Sequence, residues 1–301
     1  MEHGLIPGEE LAGGIDLLST IESGQTYCWR RADGRTYESD ERGGWYTTVV
    51  DGEVLRVRQI DDGLKWEATT DPVDRLTHLL RLDDDLDAIV AATPDDPLID
   101  EAYRVHKGLR LVRDPPFRCL ISFICSAQMQ VPRIHRMQVA LSETFGEPLE
   151  IEGETYHAFP TPDRLARASE EELRGLSLGY RAPYVKATAE MVAAGEAHPE
   201  EALGSEYEAA RESLTRFVGV GEKVADCVLL FSLGYLQAVP LDTWIRSAIA
   251  EYYPECDRGN YRDTSRAIRE RFGGEYAGYA QTYVFHFLRT GGRRPERPEN
   301  D

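Results

Sequence analysis

The chain has 301 residues, of which 34 are Lys or Arg and 53 are Asp or Glu, so its formal net charge at pH 7 is -19. A hydrophobic content of 42% excludes wholesale disorder and suits one large domain or two to three smaller ones. Apolar runs stay below the roughly 20 residues of a membrane span, and we expect no export signal. The net negative charge disfavours nucleic-acid binding by overall electrostatic attraction.

The five cysteines do not favour a disulfide framework, a zinc site or an iron–sulfur cluster. They are odd in number, lie far apart and include no Cys-x-x-Cys pair. We therefore expect a soluble, intracellular protein without a metal site. A surface this acidic is typical of proteins from salt-rich cells.

The acidic residues are concentrated towards the amino terminus. Residues 1–106 hold 10 Lys or Arg against 24 Asp or Glu, whereas residues 107–137 hold six against one, a net charge of +5. We therefore expect most of the surface to repel a polyanion and a narrow basic strip to attract one.

Residues 14–70 have the pattern of an antiparallel sheet. Short runs rich in Val, Ile, Thr, Tyr and Trp are separated by Asp-Gly pairs, which favour hairpin turns. The clearest hairpin joins residues 45–50 to residues 53–58 across Asp51-Gly52. Residues 72–107 change to helical spacing and predict a connector that packs on the sheet.

From Asp114 onwards the apolar pattern is nearly all helical, with Gly and Pro between the segments. The predicted fold class is α+β: an amino-terminal antiparallel β domain with connecting helices, residues 1–107, followed by a mostly α-helical domain, residues 108–290. Residues 291–301 are rich in Pro, Arg, Glu and Asn, which predicts a disordered tail.

A pair of helices joined by a glycine-containing turn is the most informative motif. One amphipathic helix ends at Gly219-Val220-Gly221 and another begins at Glu222. Backbone N–H groups of the turn and of the second helix then point outward together, which suits a phosphate. Considered alone, the motif is equally well explained as a tight helix connection with glycines at positive φ.

Lys223 lies in the first turn of the second helix. The positive end of the helix dipole disfavours an ammonium ion there and favours the neutral amine, which is a nucleophile. Cys227, four residues further on, lies on the same face and can flank the same pocket. Taken one at a time, Lys223 is better explained as a phosphate contact and Cys227 as a core residue.

Asp242 follows in the sequence Val239-Pro240-Leu241-Asp242 and begins another helix. An Asp at this position is usually an N-cap. An acid held at a helix N-terminus is also expected to stay ionised, and it can stabilise a cation that develops in a transition state. A Lys and an Asp in this arrangement are more specific than either residue alone.

Together these motifs resemble the helix-hairpin-helix superfamily of base-excision DNA glycosylases, and within it the 8-oxoguanine DNA glycosylases of the eukaryotic type. The resemblance runs from about residue 10 to residue 290. It implies that residues 108–290 form a helix-hairpin-helix glycosylase domain. Five further blocks fit in order: Ser23-Gly24-Gln25, Asp114-Pro115, residues 122–126, residues 178–182 and residues 276–281.

The resemblance assigns the chemistry to Lys223 and Asp242. Lys223 matches the nucleophile that attacks the anomeric sugar carbon, expels the damaged base and leaves a Schiff base for strand cleavage by β-elimination. Asp242 matches the acid that stabilises the oxocarbenium-like state and orients the nucleophile. No metal or organic cofactor is required for this chemistry.

The resemblance also implies a pocket for a base flipped out of the duplex. The backbone carbonyl of Gly24 matches the acceptor for the N7 hydrogen that 8-oxoguanine has and guanine lacks, so one hydrogen bond separates the two bases. Cys227 and Phe285 match the two sides of the stacking sandwich. Gln281 matches the amide that reads the Watson–Crick edge of the base.

The remaining expected DNA contacts fall into two groups. The first fills the space that the base leaves and contacts the orphaned cytosine: Gln128, Arg133, Tyr180 and Arg181. Without the resemblance, Arg133 is a solvated charge and Tyr180 an exposed aromatic residue. The second group is the hairpin, Gly219, Val220 and Gly221, together with Trp244. The resemblance also implies a monovalent cation held by hairpin carbonyls such as that of Val220.

Three departures from the family pattern bear on the substrate range. Gln128-Met129-Gln130 stands where the family has three asparagines, and Val218 replaces the proline of the hairpin. Trp244 stands where the eukaryotic enzymes have a histidine, and Thr243-Trp244 is similar to the alkylbase glycosylases of the same superfamily. The departures leave open the preferred base opposite the lesion and a broader lesion range.

The sequence predicts a bifunctional glycosylase and AP lyase that binds double-stranded DNA containing 8-oxoguanine. An alkylated-purine glycosylase of the 3-methyladenine type is the alternative; it needs Asp242 but not Lys223. A non-catalytic helix-hairpin-helix DNA-binding protein is a third hypothesis, which the presence of both residues disfavours. We expect a monomer without membrane contact, in the cytoplasm of a cell without a nucleus, at the nucleoid.

Overall fold

The computed structural model describes residues 1–293, so residues 294–301 of the predicted tail lie outside the described residues. The strands are β1 (Glu2–Pro7), β2 (Arg30–Arg31), β3 (Tyr46–Val50), β4 (Glu53–Ile60), β5 (Gly63–Ala68), β6 (Pro148–Ile151) and β7 (Glu154–His157). The helices are α1 (Leu17–Glu22), α2 (Val73–Leu79), α3 (Leu86–Ala92), α4 (Pro97–Val105), α5 (Pro116–Cys125), α6 (Val131–Phe145), α7 (Pro162–Arg167), α8 (Glu170–Leu173), α9 (Ala182–Ala193), α10 (Tyr207–Leu214), α11 (Glu222–Phe231), α12 (Thr243–Tyr252), α13 (Tyr261–Arg271) and α14 (Ala277–Arg289). Within residues 1–293, no helix is long and apolar enough to cross a bilayer.

The first five strands form one antiparallel sheet in the order β1-β5-β4-β3-β2. The hairpin predicted across Asp51-Gly52 is present, with Val50 paired to Glu53 and positive φ at both turn residues. Buried residues of the sheet, such as Leu55 and Trp66, form a core with α1 and α2. The predicted fold class, an antiparallel sheet domain followed by a mostly helical domain, is confirmed.

Three elements differ from the predicted pattern. Residues 17–22 form a helix rather than a strand, because the Asp16 side chain caps it by accepting from the Ser19 N–H at 3.2 Å. Strand β1 precedes the region predicted to be a sheet and pairs with β5. The hairpin β6–β7 interrupts the stretch predicted to be helical. Short strands such as β1 and β6 carry too few residues for a clear periodic signal.

The connector predicted to pack on the sheet does so only in its first half. Helix α2 contributes Leu76 and Leu79 to the sheet core. Helices α3 and α4 instead belong to the core of the helical domain. The ring centroids of Tyr103 in α4 and Tyr283 in α14 are 4.5 Å apart. The expectation is wrong for residues 86–105, because helical periodicity identifies an apolar face but not the element that covers it.

A buried ion pair joins the two parts of the molecule close to the Ser23-Gly24-Gln25 segment. The Arg118 guanidinium donates to Asp114 Oδ1 at 2.7 Å and to Thr48 Oγ1 of β3 at 3.1 Å. Asp114 Oδ2 accepts from Thr26 Oγ1 at 2.8 Å. Gln25 adds three hydrogen bonds to backbone groups of residues 20, 110 and 112. These bonds hold the loop of Gly24 against the helical domain.

Candidate active site

The hairpin between α10 and α11 has the predicted local structure. Gly219 has φ of +82°, and a Cβ at this position would come within 2.7 Å of the Tyr184 side chain. Gly221 is the N-cap of α11, and within the described residues no side chain caps the first turn of that helix. The first N–H groups of α11 are therefore free of side-chain partners and available to an anion.

Lys223 lies in the first turn of α11 and points towards α5. Its Nζ is 3.4 Å from Ser126 Oγ and 5.4 Å from the centroid of the Phe123 ring. Cys227 is buried on the same helix face. Burial raises the pKa of the Cys227 thiol to about 12, and the charge of Lys223 offsets part of that rise. The thiol is therefore neutral at physiological pH and serves as an apolar wall rather than a nucleophile.

Asp242 is the N-cap of α12, and its Oδ1 accepts from the Ile245 N–H at 2.8 Å. The expectation that Asp242 stays ionised remains a prediction, and its surroundings act on its pKa in both directions. Burial raises the pKa of the Asp242 carboxyl, and the charge of Lys223 together with the N–H groups of Ile245 and Trp244 offsets this only in part. Desolvation outweighs these favourable interactions although the half-buried Asp242 only lines the pocket.

One pocket brings together the predicted catalytic and lesion-contacting residues. Its volume is about 50 Å³. The lining residues come from distant parts of the chain, and they are Ser23, Gly24, Gln25, Tyr27, Phe123, Lys223, Cys227, Phe231, Pro240, Asp242, Gln281, Thr282 and Phe285. All six residues predicted for catalysis and for lesion contact are therefore in one place.

The Gly24 carbonyl already holds one hydrogen bond, from the Tyr27 hydroxyl at 2.8 Å. Burial holds the pKa of Tyr27 well above its usual range, so its hydroxyl remains a donor. A carbonyl oxygen has two lone pairs, so one acceptor site on Gly24 stays available. Gly24 itself has φ of +99°, and a Cβ there would lie 3.3 Å from Val131 Cγ2, which leaves little room for any other residue.

Helix α14 supplies the opposite wall. Gln281 is buried, and its Oε1 accepts from Thr282 Oγ1 at 3.3 Å. Phe285 lies one turn further on, with the Arg289 guanidinium 5.6 Å from its ring centroid. Arg289 also donates to the Glu22 carbonyl at 2.6 Å, which ties this end of α14 to α1. The wall is thus fixed by contacts from both parts of the molecule.

The residues expected to contact the orphaned cytosine lie around one loop. Three of them are exposed, whereas Arg181 is buried. The Ala127 carbonyl accepts from the Tyr180 hydroxyl at 3.4 Å and from the Arg181 guanidinium. Gln128, beside it, is exposed and has φ of +51°. Arg133 is exposed in the first turn of α6, whereas Arg181 is only 4% exposed and lies 4.3 Å from the Tyr180 ring centroid. Arg181 therefore supports the loop of Gln128.

Trp244 lies in the first turn of α12 and is 43% exposed, and Val218 of the hairpin is 41% exposed. In the sequence, Trp244 follows Asp242 by two positions and Val218 precedes Lys223 by five, so both are near the start of a helix that carries a predicted catalytic residue. Large apolar side chains at the surface are commonly associated with binding. These two positions extend the candidate DNA-contacting surface from the hairpin to α12.

Four of the six Lys and Arg residues in residues 107–137 are buried or paired with an acidic residue, so they do not form the expected basic strip. Arg110 is buried and donates to four backbone carbonyls, Arg118 pairs with Asp114, and Arg113 pairs with Asp83 at 3.0 Å. Arg136 pairs with Glu38 at 3.3 Å. A count of charges along the sequence includes buried arginines, although only exposed ones attract a polyanion.

Three residues at the centre of the site were not predicted to contribute to it. Tyr27 bonds the Gly24 carbonyl, and Ser126 and Phe123 contact Lys223. Phe123 and Ser126 stand in a block that resembles the family, but no spacing rule connects them to a lysine about 100 residues away. Only the packing of α5 on α11 brings them together.

Two family models cover most of the chain. Residues 10–120 match the 8-oxoguanine DNA glycosylase N-terminal domain, and residues 121–273 match the HhH-GPD superfamily base excision DNA repair protein. The N-glycosylase/DNA lyase OGG1 of Arabidopsis thaliana is 34% identical over 90% of this chain and 76% of its own length. A probable N-glycosylase/DNA lyase of Methanothermobacter thermautotrophicus is 32% identical over 93% of this chain and 95% of its own.

The same similarity extends to a solved structure. A Clostridium acetobutylicum 8-oxoguanine glycosylase/lyase in complex with double-stranded DNA containing cytosine opposite 8-oxoG superposes with a TM-score of 0.80 at 29% identity. The match covers 92% of this chain and 92% of that chain. The chain therefore belongs to the HhH-GPD superfamily of base excision DNA repair proteins, and its amino-terminal part is the N-terminal domain of the 8-oxoguanine DNA glycosylases.

Proposed function

We propose that this chain is a DNA glycosylase and AP lyase that removes 8-oxoguanine from double-stranded DNA. One observation carries the proposal: a single pocket holds the amine of Lys223, the carboxylate of Asp242, the carbonyl of Gly24 and the amide of Gln281. The first two supply the chemistry and the last two recognise the base. Residues with these four functions are separated by as much as 257 positions in the sequence.

The reaction follows from the positions of Lys223 and Asp242. The amine of Lys223, once it has lost its proton, attacks the anomeric carbon as the bond to the base breaks, and the electron pair of that bond leaves with the base. Positive charge develops on the sugar, and the carboxylate of Asp242 stabilises it. Loss of a proton from the adduct and opening of the sugar ring give a Schiff base. β-Elimination from that Schiff base cleaves the strand.

Recognition of the lesion rests on the free lone pair of the Gly24 carbonyl. The N7–H of 8-oxoguanine fills it, whereas guanine presents a second acceptor at the same place. Two acceptors facing each other without a hydrogen cost about 1–3 kcal/mol in a buried site. Cys227 and Phe285 sandwich the base, and the Gln281 amide binds its Watson–Crick edge.

The hairpin is proposed to bind a phosphate of the DNA through the N–H groups at the start of α11. Gly219→Ala is expected to weaken binding by about tenfold, because alanine disfavours φ of +82° and its Cβ would collide with Tyr184. Gly195→Ala, outside the hairpin, is the matched control, since φ there is +70° and a Cβ meets open space. Fluorescence anisotropy with a duplex carrying a stable abasic analogue measures both affinities. Equal affinities would argue against the hairpin as a phosphate site.

We further propose that Gln128, Arg133, Tyr180, Arg181 and Trp244 contact the DNA around the vacated position. The turn at Gly219 is of the kind in which backbone groups converge on an ion, and we propose that the Val220 carbonyl helps to hold a monovalent cation there. No step of the reaction passes through that ion.

We also propose that the protein acts as a monomer and uses neither a catalytic metal nor an organic cofactor. Its proposed location is the cytoplasm of a salt-rich cell, at the nucleoid.

A panel of duplexes tests the substrate. We expect excision of 8-oxoguanine opposite cytosine with strand cleavage, and excision of 3-methyladenine at least about tenfold slower, because N7 of 3-methyladenine carries no hydrogen for the Gly24 carbonyl to accept. The reverse order would favour an alkylated-purine glycosylase. Absence of excision from every duplex, with binding retained, would favour a non-catalytic DNA-binding protein. The same panel with each opposite base, run across salt concentrations, measures the effect of Gln128.

A further inference from the structure

A buried carboxylate lies one turn after Lys223 on α11. Asp226 is 0% exposed and lines no part of the pocket. Its Oδ1 accepts from the Tyr207 hydroxyl at 2.6 Å and its Oδ2 from the Tyr261 hydroxyl at 2.7 Å. The Arg211 guanidinium lies 3.6 Å from Oδ2 and supplies a compensating charge. The reaction described above makes no use of this group.

Tyr261 has a second contact that Tyr207 lacks. Its hydroxyl oxygen accepts from the Leu241 N–H at 3.2 Å, and Leu241 directly precedes Asp242. The Leu241 carbonyl accepts from Arg246 Nε at 3.2 Å. Both polar backbone atoms of Leu241 are therefore bonded, and the guanidinium of Arg246 lies 5.7 Å from the Tyr261 ring centroid. Tyr261 thus contacts both the turn that carries Asp242 and the first turn of α12.

These bonds connect the two catalytic groups without passing through the pocket. Asp226 is on the same rigid helix as Lys223, and Tyr261 joins Asp226 to the residue before Asp242. A hydroxyl that donates to a carboxylate is a stronger acceptor, so the bond to Asp226 strengthens the bond from Leu241. The relative position of Lys223 and Asp242 therefore depends on one hydroxyl of α13.

We propose that Tyr261 is a positioning residue, whose hydroxyl, oriented by Asp226, holds the turn of Asp242 at a fixed place relative to Lys223. The proposal rests on the proposed function, because it concerns how the same two groups are kept aligned. Alignment matters because a displacement of about 1 Å at a reacting group can reduce a rate by about 100-fold.

A pair of tyrosine variants tests the proposal. Tyr261→Phe and Tyr207→Phe each remove one hydrogen bond to the same carboxylate, but only Tyr261→Phe removes the bond to Leu241. We expect Tyr261→Phe to slow single-turnover excision of 8-oxoguanine by about 10- to 100-fold. Tyr207→Phe is expected to remain within about threefold of wild type, since the Asp242 turn keeps its contacts. The affinity for a duplex with a stable abasic analogue should be unchanged in both.

Thermal denaturation of both variants separates positioning from stability. If Tyr261 had only a structural role, the two variants would lose similar amounts of Tm and would excise 8-oxoguanine at similar rates. Equal excision rates in Tyr261→Phe and Tyr207→Phe would therefore overturn the proposal. If Tyr261→Phe does not fold, Arg246→Met removes the donor to the Leu241 carbonyl from an exposed side chain. A folded Arg246→Met protein should then excise several-fold more slowly at unchanged DNA affinity, and a wild-type rate would overturn the proposal. A wild type without excision contradicts the proposed function instead.

Discussion

Lys223→Gln is expected to abolish both strand cleavage and covalent capture on an 8-oxoguanine:cytosine duplex. Glutamine has no amine to attack the anomeric carbon or to form a Schiff base, so the excision rate should fall by at least about 10³-fold. Borohydride added during the reaction reduces the Schiff base and crosslinks wild-type protein to DNA. Denaturing gel electrophoresis measures the crosslinked fraction. Binding should persist, because the N–H groups at the start of α11 remain.

Lys107→Gln is the matched control, because Lys107 is exposed and lies outside the pocket. It removes the same charge and should crosslink as wild type does. A Lys223→Gln protein that still crosslinks would disprove the assignment of the nucleophile. A wild-type protein that excises the base without any crosslink would show that water attacks instead, as in a glycosylase without lyase activity.

Asp242→Asn is expected to lower the excision rate by about 10²- to 10³-fold, the usual effect of removing one electrostatic partner of a transition state. Asparagine is also a good N-cap, so α12 should keep its start and the Tm should change little. Single-turnover kinetics on the 8-oxoguanine duplex measures the rate. Asp85→Asn, at the exposed N-cap of α3, controls for the loss of a capping carboxylate.

The pH dependence gives a second test of Asp242. The active form is the carboxylate, and burial raises the pKa of this group above the ordinary aspartate value of 3.8. Activity should therefore decline with falling pH at a higher pH than an ordinary aspartate would produce. Single-turnover rates at saturating enzyme, measured from pH 4 to pH 8, give the profile. A wild-type rate that stays constant down to the ordinary pKa of aspartate would show that Asp242 is not the group that must ionise.

The sequence alone was sufficient for the local geometry of the chemistry-bearing segments. Gly219 and Gly221 predicted the turn, Lys223 was placed in the first helical turn after it, and Asp242 was identified as an N-cap. These features depend on bonds between residues at most four positions apart, and helix capping and turn formation follow local rules. The resemblance to the glycosylases added the order of the remaining blocks along the chain.

Sequence also determined the class of the fold, because strands and helices leave different apolar periods and the Asp-Gly pairs mark the hairpins. It did not determine which core α3 and α4 join. It also did not reveal that Tyr27 occupies one lone pair of the Gly24 carbonyl. Both depend on which surfaces meet in space, and the apolar faces of several helices are interchangeable partners until all are packed.

The tertiary structure decided the electrostatics of the site. In the sequence, the only visible influence on Asp242 is its place at a helix N-terminus, which favours the ionised carboxylate. In the folded protein, burial raises the pKa of this group. Arg110 and Arg118 count as positive charge in the sequence, yet they lie inside the molecule and bind carbonyls or a carboxylate. Local bonds determine the shape of each catalytic segment, whereas desolvation and charge pairing depend on long-range packing. For that reason the candidate catalytic residues could be proposed from the sequence, whereas their protonation and alignment could not.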